Sequence, residues 1–147
     1  MGILRHVPVL RADRLVREAV HALQQAGVPA LPVEDEHGRF LGIFGEREFI
    51  EAIFPGYIKE LRYAGFVPHS LDVAIERRSG CLDRPVGEYA TREQIAVSEG
   101  FSDAELAETF LHHRVLIVPV VDGGRRVIGI VTRTDFFEIV AGRVEQA

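Results

Sequence analysis

Thr132 and Asp135 stand three positions apart in Gly129-Ile130-Val131-Thr132-Arg133-Thr134-Asp135, where an apolar run gives way to a helical pattern. Two kinds of chemistry fit that placement. A hydroxyl at the N-cap and an acid at the third helical position satisfy backbone N–H groups that the helix leaves unpaired, an effect on the order of 1 kcal/mol. The same carboxylate can accept both hydroxyls of a ribose, and an exposed helix N-terminus attracts phosphate. The residues alone leave both readings open, and the two roles can coexist.

No catalytic motif accompanies them. The chain has no G-x-S-x-G, no G-x-x-x-x-G-K-[ST], no G-x-G-x-x-G and no H-E-x-x-H. His112 and His113 are adjacent, so on a helix they point about 100° apart and cannot share a metal as an i, i+4 pair does. Cys81 is the single cysteine, which excludes an internal disulfide, and it has no partner motif. Arg77-Arg78-Ser79 has the look of a basic-directed phosphorylation motif and is assigned no role. The expectation is a binding protein, neither an enzyme nor a metalloprotein.

Charge narrows the partners. The net charge of −5 argues against nucleic acid, whose phosphates want a basic face. The basic residues, all arginine except Lys59, are scattered along the chain. No apolar run approaches the roughly 18 to 20 residues of a membrane span, and Met1–His6 lacks the apolar core of a signal peptide. A soluble, cytoplasmic protein with neither a nucleic-acid nor a membrane partner is expected.

The elements that position Thr132 and Asp135 occur twice. Shifted by 87 positions, Val28–Ile53 falls on Val115–Val140 without a gap, and nine of the 26 positions are identical, including Pro32/Pro119, Asp35/Asp122, Gly42/Gly129 and Ile43/Ile130. The chain is a duplication. Each copy reads as a short strand (Val7–Leu10; Ile95–Val97), an amphipathic helix, two strands around a polar turn (Ala30–Val33 and Phe40–Phe44; Leu116–Val121 and Val127–Val131), and a closing helix (Glu46–Phe54; Thr134–Val140). Ser102-Asp103-Ala104-Glu105 predicts a capping box. The continuous apolar strands suit burial on both faces. A unit this small has too little interior to stand alone, so the copies must pack together. The predicted division is repeat one over 1–54, a helical insert over 55–85 and repeat two over 86–147. The insert carries expected helices at Tyr57–Ala64 and, capped by Ser70, at Leu71–Arg77. Its apolar residues predict either an extra layer on the core or a docking element.

Val118-Pro119-Val120-Val121-Asp122, followed by Gly129-Ile130-Val131-Thr132-Arg133-Thr134-Asp135, resembles the CBS domain, and the tandem occurrence resembles a CBS-domain pair (Bateman module) of the stand-alone bacterial type. The resemblance implies an α/β (α+β) fold in which tandem β-α-β-β-α repeats pack about a pseudo-twofold axis and leave two related clefts. It further implies a homodimer and a regulatory adenosyl ligand: AMP, ADP, ATP or S-adenosylmethionine, with no cofactor required. No output domain is attached, so the regulated activity is expected on a protein partner.

Carried over residue by residue, the likeness places Thr132, Thr134 and Asp135 on the ribose. They would face Val28, Pro29 and Ala30 of copy one, with Val7 and Ile130 closing on the base. Pro29 removes one possible donor. Firm phosphate grip in the family uses His or Arg before the P-V-V segment, where this chain has Leu116 and Ile117; Arg133, Arg5 and His6 are possible substitutes. Copy one has Gly45-Glu46-Arg47-Glu48 at the matching positions, without the hydroxyl and with a longer acid, so one competent cleft is expected. The alternative function is a dimerisation or protein-interaction module with no small-molecule ligand.

Overall fold

A computed structural model describes residues 3–54 and 71–147. The expected helix at Tyr57–Ala64 and the cap Ser70 lie outside the described residues. In chain order the elements are β1 (Leu10–Arg11), α1 (Val16–Ala26), β2 (Ala30–Glu34), β3 (Phe40–Gly45), α2 (Glu46–Ile53), α3 (Leu71–Arg78), β4 (Val97–Ser98), α4 (Asp103–His113), β5 (Ile117–Val121), β6 (Val127–Thr132) and α5 (Arg133–Gln146). Two short 3₁₀ turns, Ser79–Asp83 and Val86–Glu88, lie between α3 and β4.

The 87-residue offset extends back beyond the aligned stretch, because β1 and β4, α1 and α4, β2 and β5, and β3 and β6 all start and end at positions 87 apart. In each copy a parallel pair is followed by an antiparallel one, in the order β1-β2-β3 and β4-β5-β6. Even the irregularity repeats, with the register shifting at Val33/Glu34 and at Val120/Val121. The shared turn acids explain themselves. Asp35 Oδ1 accepts the N–H groups of His37 and Arg39 at 2.8 and 3.0 Å, and Asp122 Oδ1 accepts those of Gly124 and Arg126, each at 2.9 Å. Those backbone donors, Arg39 first, hold the Asp35 carboxyl below its ordinary value.

The first strands are shorter than the apolar run suggests. Pro8 has no N–H to give a ladder, and only Leu10 and Arg11 pair with β2. The residues before them cross to the other copy instead. Arg5 exchanges both backbone hydrogen bonds with Ile130 on β6, at 2.8 and 2.9 Å, and Thr91 does the same with Ile43 on β3, at 2.9 and 2.8 Å. Each lead-in segment therefore seals the sheet of the opposite copy, the reciprocal arrangement of a pseudo-twofold pair. This crossing accounts for Gly42 and Gly129. A Cβ at Gly42 would collide with the Thr91 carbonyl, and one at Gly129 would stand 2.7 Å from the Arg5 carbonyl.

Packing follows the same exchange. Leu31, Val33 and Phe44 share one core with Val86 and with Ile117 and Ile130 of copy two. Val97, Leu106, Val118 and Val131 form a second core that Ile3 and Leu4 cover from the lead-in. β2 and β5 are buried along nearly their whole length, as their unbroken apolar runs require. α5 runs six residues past the expected Val140 and has no fully buried residue. No helix among the described residues is long and apolar enough to cross a membrane.

Candidate functional site

The four helices of the repeats begin in two different ways. In copy one the N-caps Leu15 and Gly45 have no side-chain acceptor, and the glutamates three residues on reach back: Glu18 Oε1 accepts the Leu15 N–H at 3.1 Å, and Glu48 Oε1 the Gly45 N–H at 2.9 Å. In copy two the caps carry hydroxyls. Ser102 Oγ accepts the Glu105 N–H at 3.1 Å, and Thr132 Oγ1 the Asp135 N–H at 3.0 Å. Each copy uses one half of the capping box at both of its helices. Gly45 is small because Pro29 and Ala30 press on its backbone, leaving no room for a Cβ.

Glu48 and Asp135 occupy equivalent positions with different partners. Glu48 Oε2 accepts the Thr91 hydroxyl at 2.7 Å. Asp135 receives a two-pronged ion pair, Arg5 Nε to Oδ2 at 2.6 Å and Arg5 Nη2 to Oδ1 at 3.0 Å. The hydrogen bond from Arg5 is the main reason the Asp135 carboxyl lies below its ordinary value, with Thr132 and the Arg5 charge adding to it against the opposing effect of burial.

A cleft of about 1040 Å³ lies between the copies. Ile43, Pro29 and Ala30 come from the copy-one sheet, Glu46, Arg47 and Glu48 from the start of α2, and Thr91, Glu93 and Ile95 from the lead-in to copy two. Arg114, Val115, Leu116 and Ile117 complete the wall. The lining pairs apolar surface with an acid and a hydroxyl already oriented on one another, a combination suited to a ligand with a flat apolar part and a polar rim. Arg47 and Arg114 stand among the glutamates, so the mouth carries both signs of charge. Among the described residues no cluster of potential metal ligands occurs.

The residues expected at the ligand lie on the first lead-in, the start of β2, β6 and the first turn of α5. Thr132 is buried as the cap of α5, Arg133 and Thr134 are exposed at its first turn, and Asp135 is partly buried beneath Arg5. Ile130 is buried under the lead-in, and His6 Nδ1 lies 3.2 Å from the Ile128 carbonyl oxygen. Val28 is buried in the copy-one core, and Val7 packs against it. Pro29 and Ala30 line the cleft that holds Glu48, whose walls include none of Thr132, Thr134 and Asp135. Thr91, Glu93 and Ile95 were not among the residues expected at a site. Their signal was present, since the offset that relates the two copies carries the Leu4–Arg5 lead-in onto Thr91-Arg92.

Comparison with known proteins agrees with this architecture. The CBS domain family model matches residues 3–55 and 86–142. An inosine-5'-monophosphate dehydrogenase of Aquifex aeolicus is 24% identical over 135 residues, which are 91% of this chain and 22% of that enzyme. The chain thus spans about a fifth of the length of that relative. Among solved structures, CBSX2 in complex with AMP superposes with a TM-score of 0.68 at 20% identity, over 97% of this chain and 95% of the other. MJ1225 of Methanocaldococcus jannaschii superposes with a TM-score of 0.72 at 21% identity, over 94% of this chain and 46% of the other.

Proposed function

The chain belongs to the CBS domain family, and from that premise we propose that it is a non-enzymatic, cytoplasmic regulatory module that senses an adenosine-containing ligand of the AMP, ADP, ATP or S-adenosylmethionine type. The observation that carries the reading is the cleft of about 1040 Å³ built jointly by both copies, with Glu48 at the start of α2 and apolar walls from Ile43, Ile95 and Ile117. In this reading the base lies against the apolar wall and the ribose hydroxyls meet the Glu48 carboxylate beside the Thr91 hydroxyl. The AMP bound by the similarly folded CBSX2 supports an adenosyl ligand. The set expected from the sequence, Thr132, Arg133, Thr134 and Asp135 facing Val28, Pro29 and Ala30, with Val7, His6 and Ile130, is proposed as the related second site.

Because both copies wall the cleft, a ligand that fits one relative arrangement better than another shifts the population between them and so biases a contact elsewhere. The test is thermal unfolding with AMP, ADP, ATP and S-adenosylmethionine, beside Glu48→Ala and Asp135→Ala. A ligand at about 100 times its Kd stabilises the fold by about 2.7 kcal/mol, several degrees in melting temperature. A shift lost in Glu48→Ala supports the reading, and a folded protein that responds to none of the four overturns it.

A second reading, a homodimer or partner-docking module without a small ligand, is favoured by one feature. Phe137, Val140 and Val144 recur at helical spacing along α5 and are 63%, 43% and 68% exposed. Sedimentation that shows a dimer lost in Phe137→Glu, with no nucleotide effect, would place the function there.

A further inference from the structure

Arg5 closes the carboxylate of Asp135 in a way that no other described residue closes Glu48. Its planar guanidinium donates to both Asp135 oxygens, at 2.6 and 3.0 Å, covering the edge that a vicinal diol would use. Among the described residues Glu48 instead receives one backbone N–H and one neutral hydroxyl, from two separate groups. The Arg5 backbone is stitched to Ile130 by two hydrogen bonds, so the guanidinium stays tethered close to Asp135. Its side chain is 44% exposed and can rotate away without opening that crossing.

We infer that Arg5 is a built-in latch, an intramolecular competitor that keeps Asp135 from a diol-bearing ligand until its side chain swings out. The two ends of the module then fill in order: the Glu48 cleft first, the Asp135 position only when the ion pair yields. The order follows from charge and geometry, because a tethered two-pronged cation must be displaced at one end while a neutral hydroxyl needs only to share its acceptor at the other. This inference rests on the proposed adenosyl-binding reading.

Adenosine, which lacks phosphate for a freed arginine to meet, is the probe. Calorimetric titrations compare wild type with Arg5→Gln, Arg5→Lys and the double variant Arg5→Gln/Asp135→Asn. Arg5→Gln is expected to tighten the weaker of two sites about two- to fivefold, the range of one exposed ion pair, and Asp135→Asn in the same chain to abolish the gain. Arg5→Lys keeps the charge without the fork and should fall between. An Arg5→Gln isotherm that superimposes on wild type, with one site or two, or that shows weaker binding, overturns the latch and leaves the adenosyl reading standing. Absence of adenosine binding in every folded variant overturns both.

Discussion

Glu48 and Asp135 lie at equivalent positions of the two copies, and each is held by the segment that leads into the other copy. Thr91 supplies a hydroxyl to Glu48 at 2.7 Å, and Arg5 a guanidinium to Asp135 at 2.6 and 3.0 Å. The duplication has preserved a relationship between an acid at a helix start and a crossing strand while changing both of its members. The acid of copy one is one methylene longer, and that length lets it fold back onto the Gly45 N–H and replace the missing cap hydroxyl. The shorter acid of copy two is relieved of capping by Thr132 and is left to the arginine.

Helix-start variants should separate these roles. Thr132→Ala removes a buried cap acceptor and is expected to cost about 1 kcal/mol in denaturant unfolding. Glu48→Ala deprives both the Gly45 N–H and the Thr91 hydroxyl of an acceptor and should cost about as much, whereas Glu48→Gln keeps a carbonyl oxygen for one donor and should cost less. Asp135→Ala, which breaks a partly exposed ion pair, should stay below about 1 kcal/mol. If Glu48→Ala proved silent, the capping role of its carboxylate would be refuted.

The duplicated glycines should differ in tolerance. A Cβ at Gly42 meets the Thr91 carbonyl and Arg92 Cα, all backbone, so Gly42→Ala is expected to cost about 3 kcal/mol. At Gly129 the overlap is milder: the Arg5 carbonyl stands at 2.7 Å and the other close atoms belong to the Leu4 side chain, at 2.8 Å, which can shift. Gly129→Ala should cost nearer 1 kcal/mol and loosen the lead-in, which hydrogen exchange at the Arg5 and Ile130 amides would report. Equal costs at the two sites would remove the distinction.

Much of this was legible in the residues, and what was not has physical reasons. The gapless match of Val28–Ile53 to Val115–Val140 located β2, β3, β5 and β6, because buried strands are spelled by unbroken apolar runs and turns by Asp35 and Asp122. The crossing of Arg5 onto Ile130 was invisible, since pairing between distant strands leaves no local pattern and Val7-Pro8-Val9 reads as one strand. Pro29 and Ala30 abut Gly45 and Glu46 within their own copy, so β2–β3 pairing draws them to the Glu48 cleft.

Two arginines stand where copy one has glycines. Arg114 and Arg125 have φ of 53° and 62°, and their counterparts Gly27 and Gly38 have φ of 66° and 76°. A side chain in this left-handed region is strained by about 1 kcal/mol. Arg114→Gly should therefore stabilise the fold by up to about 1 kcal/mol in the denaturant midpoint. Arg125→Gly should gain less, because it also loses the 2.7 Å hydrogen bond from Nη2 to Gln94 Oε1. Destabilisation by Arg114→Gly would mean that its side chain makes contacts in the cleft wall that outweigh the backbone strain.

Acid should open the Arg5–Asp135 pair, and neutral pH should not. Arg5 holds the Asp135 carboxyl below its ordinary value of 3.8. A carboxyl depressed in the folded state contributes stability that is fully present above its unfolded value and fades as pH falls through the folded one. Wild type and Asp135→Asn should therefore differ by a constant amount in unfolding free energy from pH 8 to pH 5. They should converge only below about pH 4, where the Asp35 turn is also losing its charge in both proteins. Convergence already between pH 6 and 7 would refute the hold of Arg5 on the Asp135 carboxyl, whereas convergence in acid keeps the ion pair closed throughout the range in which a ligand would have to displace it.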